Sequence, residues 1–237
     1  MDNEKGKSII PTGTSNLAKT EKLLSITQKI LSEIKPQYES VRIGNQEWMT
    51  RNLDVDRFRN GDLVPYIVSD KEWGRAREDG QPAWCYYDNG LENGKKYGKL
   101  YNWYAVNDPR GLAPKGWHVP SANEWANLVE FLEGNDIAGD KMKTVKGWAD
   151  WKDEDGELHI GNGANASGFN ALPVSYRYSN GDFCRWNAIF WSATEYDYFY
   201  AWIRDMGNDN GGVSRDDVIG GGIYDKSAGA SVRCLRD

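Results

Sequence analysis

Between Tyr196 and Ile223 the chain reads YDYFYAWIRDMGNDNGGVSRDDVIGGGI, a stretch equipped for contact rather than for making bonds. Aromatic rings supply large contact area at low conformational cost, while Ser, Gly, Asn and Asp adapt their hydrogen bonds, as in an antibody combining site. Lys, Glu, Gln, Leu, Thr and Pro are all missing from it. Strand-like runs bracket it, Phe190 to Thr194 before and Ala230 to Leu235 after. Within the run Tyr196, Asp197, Tyr198, Phe199, Tyr200, alternation along a strand would send about half of the rings toward a ligand. Asp205, Asp209, Asp216 and Asp217 add a negative field, which favours a basic or hydroxyl-rich target through charge-assisted hydrogen bonds.

Residues able to do covalent or metal chemistry are sparse by comparison. His118 and His159 are too few for a His-rich metal site, and neither has a nucleophile motif beside it. His118 stands between Trp117 and Val119 just ahead of a helix cap, the place of a hydrogen-bonded structural histidine. Asp153, Glu154, Asp155 and Glu157 read as a solvated turn. Asp205, Asn208, Asp209 and Asn210 could gather around an ion, but oxygen-rich loops are more often simply hydrated. Cys85, Cys184 and Cys234 are odd in number and widely spaced, which favours buried free thiols over a disulfide framework; spacing leaves open whether Cys184 and Cys234 pair. The expectation is a binder, not an enzyme, with no catalytic residue, cofactor or metal.

The elements that must position this surface fall into two domains. Residues 1–37 form an arm, polar to about residue 16. A helix then opens at Asn16 or Thr20, carries Leu23, Leu24, Ile26, Ile30, Leu31 and Ile34 at spacings of three and four, and ends at Pro36. It either packs on its own domain or builds a short coiled-coil homotrimer. Residues 38–237 form the second domain. There Val41 to Met49 alternates around Gly44-Asn45 as a hairpin. Ser121-Ala122-Asn123-Glu124 is a capping box that opens a helix with Trp125, Leu128, Val129 and Leu132 on one face, ending at Gly134. A second short helix is expected over 140–145, followed by turns and short strands. Trp84, Trp103, Trp148, Trp151, Trp186 and Trp191 read as plugs in the core or between loops.

Composition bounds the rest. The 237 residues are 39% hydrophobic, enough for a core, and carry 26 Gly and 11 Trp, which favours a loop-rich α+β or β domain over a helical bundle. A net charge of −6 argues against nucleic acid as the main partner. No apolar run is long enough to span a membrane. The N-terminus has no leader-like apolar region, so assembly in the cytoplasm, as in a phage tail protein, is expected ahead of export to a bacterial surface or medium.

Four ordered blocks resemble the Fibrobacter succinogenes major paralogous domain: Gly44 to Leu53 (GNQEWMTRNL), Tyr97 to Ala105 (YGKLYNWYA), Gly116 to Ser121 (GWHVPS) and Ser231 to Leu235 (SVRCL). The resemblance spans about residues 40–237. It implies the formylglycine-generating-enzyme branch of the C-type lectin fold, here an α+β domain with a twisted antiparallel sheet, two short helices and long loops, preceded by the N-terminal helix. Formylglycine-generating enzymes use paired cysteines and a metal, yet neither Cys184 nor Cys234 stands in such a motif. Calcium-type lectins carry Glu-Pro-Asn and Trp-Asn-Asp; here only Trp186-Asn187-Ala188 approaches them, without the carboxylate.

The C-terminal segment resembles, more narrowly, the variable proteins diversified by retroelements, such as phage tropism determinants. Randomising the adenines of an AAY codon reaches Tyr, Asp, Ser, Gly, Ile, Val and Phe, but never Lys, Glu, Gln, Met or Trp. Tyr196, Asp197, Tyr198, Phe199, Tyr200, Ile203, Asp205, Asp209, Ser214, Asp216, Asp217 and Ile219 are then variable positions. Trp202 and Met206 are scaffold, and Asn208 and Asn210 are unaltered targets. With Tyr224, the variable positions form the expected ligand face at about 195–225. The expected partner is a cell-surface protein or glycan, and a trimer would add avidity.

Overall fold

The computed structural model describes residues 19–25, 38–184, 187–207 and 222–237. The chain divides into residues 1–38 and 39–237. In the first unit residues 19–25 are helical (α1), with Leu23 and Leu24 exposed; the rest of the expected arm helix lies outside the described residues.

The second unit is α+β. In chain order it contains β1 (Ser40–Ile43), β2 (Gln46–Met49), α2 (Asp70–Glu78), β3 (Trp84–Cys85), α3 (Leu91–Tyr97), β4 (Leu100–Tyr101), α4 (Trp103–Val106), β5 (Trp117–His118), α5 (Ala122–Phe131) and α6 (Asn135–Met142). After these come β6 (Trp151–Lys152), β7 (Leu158–His159), β8 (Ala188–Glu195), β9 (Tyr200–Met206), β10 (Ile223–Asp225) and β11 (Leu235–Arg236). The strands pair antiparallel into a four-stranded sheet in the order β1-β2-β11-β5, a three-stranded sheet β10-β9-β8, and the ribbons β3-β4 and β6-β7.

The hairpin forms where the alternation places it. Ile43 pairs with Gln46 across Gly44-Asn45, and Gly44 takes φ +58°, a conformation that glycine adopts without steric cost. At the start of α5 the Ser121 hydroxyl accepts from the Glu124 N–H, and the Glu124 carboxylate accepts from the Ser121 N–H at 2.7 Å. Trp125, Leu128, Val129 and Leu132 then face inward together, as the stripe requires, and Trp125 meets Trp48 at 4.7 Å between centroids. Phe169, Phe190, Met206 and Leu235 complete this core. A second cluster gathers Trp73, Ala76, Ala83, Cys85, Leu100 and Val174.

Helices depart most from expectation. Five lie in residues 39–237 among the described residues, not two. The helix expected over 140–145 runs from Asn135 to Met142, because Gly134 at φ +93° starts it directly after α5 and Lys143 is already extended. In α2 only Trp73 and Ala76 are buried, too sparse an apolar stripe to show in sequence; Ser69 caps it by accepting from the Glu72 N–H. Trp84, Trp103, Trp148 and Trp191 are buried plugs, Trp151 is half-buried, and Trp186 lies outside the described residues.

The four sequence blocks converge on the closing segment. Leu53 N–H donates to the Val232 carbonyl, Met49 N–H to that of Cys234, and Tyr101 and Ala230 exchange both backbone hydrogen bonds. Leu235 lies between Trp48 and His118 in the sheet. The buried Arg233 guanidinium donates to Asn52 Oδ1 at 2.7 Å, to the Met49 carbonyl at 3.0 Å and to the Phe169 carbonyl. Burial pushes its pKa down to about 9, which leaves it charged at neutral pH. No helix among the described residues is long and apolar enough to cross a membrane.

Candidate functional site

The β8–β9 connection turns tightly and places its rings outward. Asp197 Oδ1 accepts from the N–H groups of Phe199 and Tyr200, both at 2.8 Å, and the N–H groups of Tyr196 and Asp197 both donate to the Tyr200 carbonyl. An aspartate closing its own turn in this way fixes the backbone without using the aromatic side chains. Tyr198 is 83% exposed and Phe199 61%, with Tyr196 and Tyr200 also exposed. The rings brace one another edge to face, Tyr198 against Phe199 at 4.8 Å and Tyr196 against Trp202 at 5.2 Å.

Lys226 anchors the turn from beneath. Its N–H donates to the Phe199 carbonyl at 2.9 Å and its ammonium to the Tyr198 carbonyl at 3.0 Å. The same ammonium pairs with Glu195 and lies 4.8 Å from the Trp103 ring centroid. Lys226 is almost fully buried, so this cation is committed to holding structure.

Beside the turn runs a groove of about 680 Å³ whose walls include Tyr198, Phe199, Tyr104, Arg77, Glu78 and Asp79. Its second wall comes from the end of α2 and from α4. Asn102 positions α4 by accepting from the Ala105 N–H. Arg77 pairs with Asp225 at 2.9 Å, and the Asp225 carboxylate also accepts from the Ser227 hydroxyl at 2.6 Å. Burial raises the Tyr104 pKa, Asp225 adds to the rise and Arg77 opposes it, so Tyr104 faces these groups as a neutral phenol at physiological pH.

The expected ligand residues divide accordingly. Tyr196, Asp197, Tyr198, Phe199 and Tyr200 form one exposed turn. Ile203 is a correction: strand alternation turns it inward, fully buried and paired with Trp191. Asp205 is half-buried and accepts from the Asn187 amide at 3.2 Å. Tyr224 is also half-buried, edge to face with Tyr176 at 4.9 Å, and burial pushes its pKa up to about 12. It therefore belongs to an aromatic cluster with Tyr176 and Tyr178. Of the scaffold positions, Met206 lies in the core and Trp202 is half-buried. Asp209, Ser214, Asp216, Asp217 and Ile219, with Asn208 and Asn210, lie outside the described residues.

Sequence reading missed the wall made by Arg77, Glu78, Asp79 and Tyr104, since nothing in the spacing of α2 or α4 links them to residues more than ninety positions away. Lys226 did leave a signal, as the first lysine after a long lysine-free stretch.

The other candidates occupy different surroundings. His118 lies 2.9 Å from Asp237 and 3.0 Å from Glu124, within the α5 cap. Cys85 and Cys234 are buried free thiols, and burial pushes both pKa values up to about 12; Cys184 is half-buried. At the β6–β7 hairpin, Asp153, Glu157 and His159 bring ligand-type atoms within 4.8 Å of one another. There Asp153 binds the His159 ring at 2.7 Å and the Glu157 N–H at 2.8 Å, and His159 stacks on Trp151 at 4.4 Å. These bonds fit a hairpin tied by its own side chains.

No curated protein and no solved structure matches this chain. The family model of the Fibrobacter succinogenes major domain matches residues 41–236. That match takes in the hairpin, the buried closing segment and both walls of the groove, and the chain belongs to the Fibrobacter succinogenes major domain family.

Proposed function

We propose that residues 39–237 form a recognition module of C-type-lectin-like architecture, whose face is the aromatic turn Tyr196 to Tyr200 with its adjoining groove. One observation carries this reading: four aromatic side chains stand exposed together on a backbone held by Asp197 and Lys226. A soluble fold gains nothing from exposing such rings side by side, whereas a binding surface gains contact area from rings already positioned before the partner arrives. The composition of residues 196–223 supports a surface diversified by a retroelement, with a cell-surface protein or glycan as ligand. In that setting the chain serves as a phage tail receptor-binding protein; on a bacterial surface the same face serves an adhesin. The exposed Leu23 and Leu24 support an arm that assembles copies, a homotrimer in the coiled-coil reading.

Binding of the purified chain to a glycan array and to a panel of intact bacterial cells tests the face. The double variant Tyr198→Ala/Phe199→Ala should lose at least tenfold in binding to whichever target the wild type retains, at unchanged melting temperature. Retained binding would remove the turn from the site. Sequencing the gene's flanks tests diversification, which requires a near-identical repeat whose mismatches fall on adenines. Light scattering before and after removal of residues 1–36 tests assembly; equal monomer masses would end the trimer reading.

A further inference from the structure

The charges lining the groove do not balance. Arg77 and Lys226 face four carboxylates, Glu78, Asp79, Glu195 and Asp225. Both cations are already engaged, Arg77 by Asp225 and Lys226 by Glu195. Among the described residues this leaves Glu78 and Asp79 without an ion pair, in a groove that is also lined by Tyr104, Tyr198 and Phe199. Aromatic faces attract cations through their quadrupole, and they also pack the alkyl stem that carries an ammonium or guanidinium. A neutral or anionic ligand would desolvate the two carboxylates with nothing to replace the lost water.

From this complementarity we infer that the groove receives a basic side chain, lysine or arginine, from an exposed loop of the partner protein. The stem lies along the rings, and the charge meets Glu78 and Asp79. The inference rests on the recognition-face reading and narrows its ligand from protein or glycan to a basic protein segment. It also gives the two internal ion pairs a role, since Arg77 and Lys226 hold Asp225 and the turn in place and are not themselves offered to the ligand.

Titration of the isotope-labelled full chain with Nα-acetyl-lysine methylamide, followed by backbone amide shifts, tests it, with uncharged Nα-acetyl-norleucine methylamide as the control of equal stem length. Saturable shifts at Gly80, Tyr104 and Phe199 are expected, at least fivefold weaker in affinity for the norleucine probe and for the charge-removing variant Glu78→Gln/Asp79→Asn. Equal affinity for the two probes, unchanged affinity in that variant, or shifts confined to other acidic parts of the surface would overturn the proposal. Both substitutions are exposed and nearly isosteric, and the unchanged amide spectrum of the free variant verifies its fold. Array and cell binding separates the two readings. Loss with Tyr198→Ala/Phe199→Ala but not with Glu78→Gln/Asp79→Asn keeps the face and rejects the basic ligand. Loss of the lysine probe in the charge variant, with array binding intact in the turn variant, keeps the groove and rejects the face.

Discussion

Two short segments, one ending in the four-stranded sheet and the other joining two strands of the three-stranded sheet, could hardly be treated more differently by the fold. From Ala230 to Leu235 every residue is buried, and each of the other three family blocks contributes a backbone bond or a strand pairing to it. From Tyr196 to Tyr200 the rings project into solvent, and the backbone is bonded mainly to itself and to Lys226. The first segment can change little, because each side chain is also a neighbour's wall. The second can exchange its rings freely provided Asp197 and Lys226 remain. The proposed recognition reading rests on this separation, which keeps the fold independent of the exposed rings.

The largest expected effect concerns two buried thiols, Cys234 in the closing segment and Cys85 in β3. With pKa values pushed up to about 12 by burial, Cys234 and Cys85 hold little thiolate at pH 8 and lie out of reach of reagents. Their alkylation by iodoacetamide should be slower than that of an unfolded thiol by a factor of about 10³ or more. Peptide mapping of the native chain checks this, and rapid labelling of Cys234 would show that the closing segment opens.

Arg233→Ala comes next. It strands the Met49 and Phe169 carbonyls and Asn52 and opens a cavity, so a loss of about 3 kcal/mol is expected in urea unfolding. A loss below about 0.5 kcal/mol, the usual range of a surface substitution, would erase the distinction between the two segments.

A smaller effect belongs to the α5 cap, where Ser121→Ala should cost about 1 kcal/mol. Burial raises the Glu124 pKa, but the Ser121 N–H and hydroxyl and the His118 ring outweigh it and hold the carboxyl below its ordinary 4.5. A depressed carboxylate pKa contributes stability above pH 4.5 that is lost as pH falls from there through the folded value. Glu124→Gln should therefore lower stability at pH 7 and flatten its decline below pH 4.5. An unchanged acid limb in thermal melts would assign that decline to other carboxylates.

Legibility followed the same division. The hairpin, the capping box and the Trp125 stripe were readable because each is a local pattern with a local cause: a two-residue turn, an S-x-x-E cap and a helical period. The α+β class and the family blocks were readable as well. Helices α2, α3 and α4 were not, since α2 has only two buried residues and α4 is a single turn held by Asn102. Ile203 was misplaced because codon reachability says nothing about which way a strand residue points. The acidic wall of the groove could not be read at all: Glu78 and Tyr198 become neighbours only through tertiary packing, and no spacing in sequence encodes that.

The smallest expected effect is the most discriminating. In the Tyr196 to Tyr200 turn, Tyr198→Ala and Phe199→Ala remove rings that touch mainly each other and solvent, while the Asp197 and Lys226 bonds reach only backbone atoms that alanine retains. Each substitution should change unfolding free energy by no more than about 0.5 kcal/mol. Asp197→Ala should cost more than either ring, because it leaves the N–H donors of Phe199 and Tyr200 without the carboxylate acceptor that shapes the turn. Urea titrations of the three single variants give the order directly. If the rings prove more costly than Asp197, they are structural, and the exposed cluster belongs to the scaffold rather than to a surface kept free for a partner.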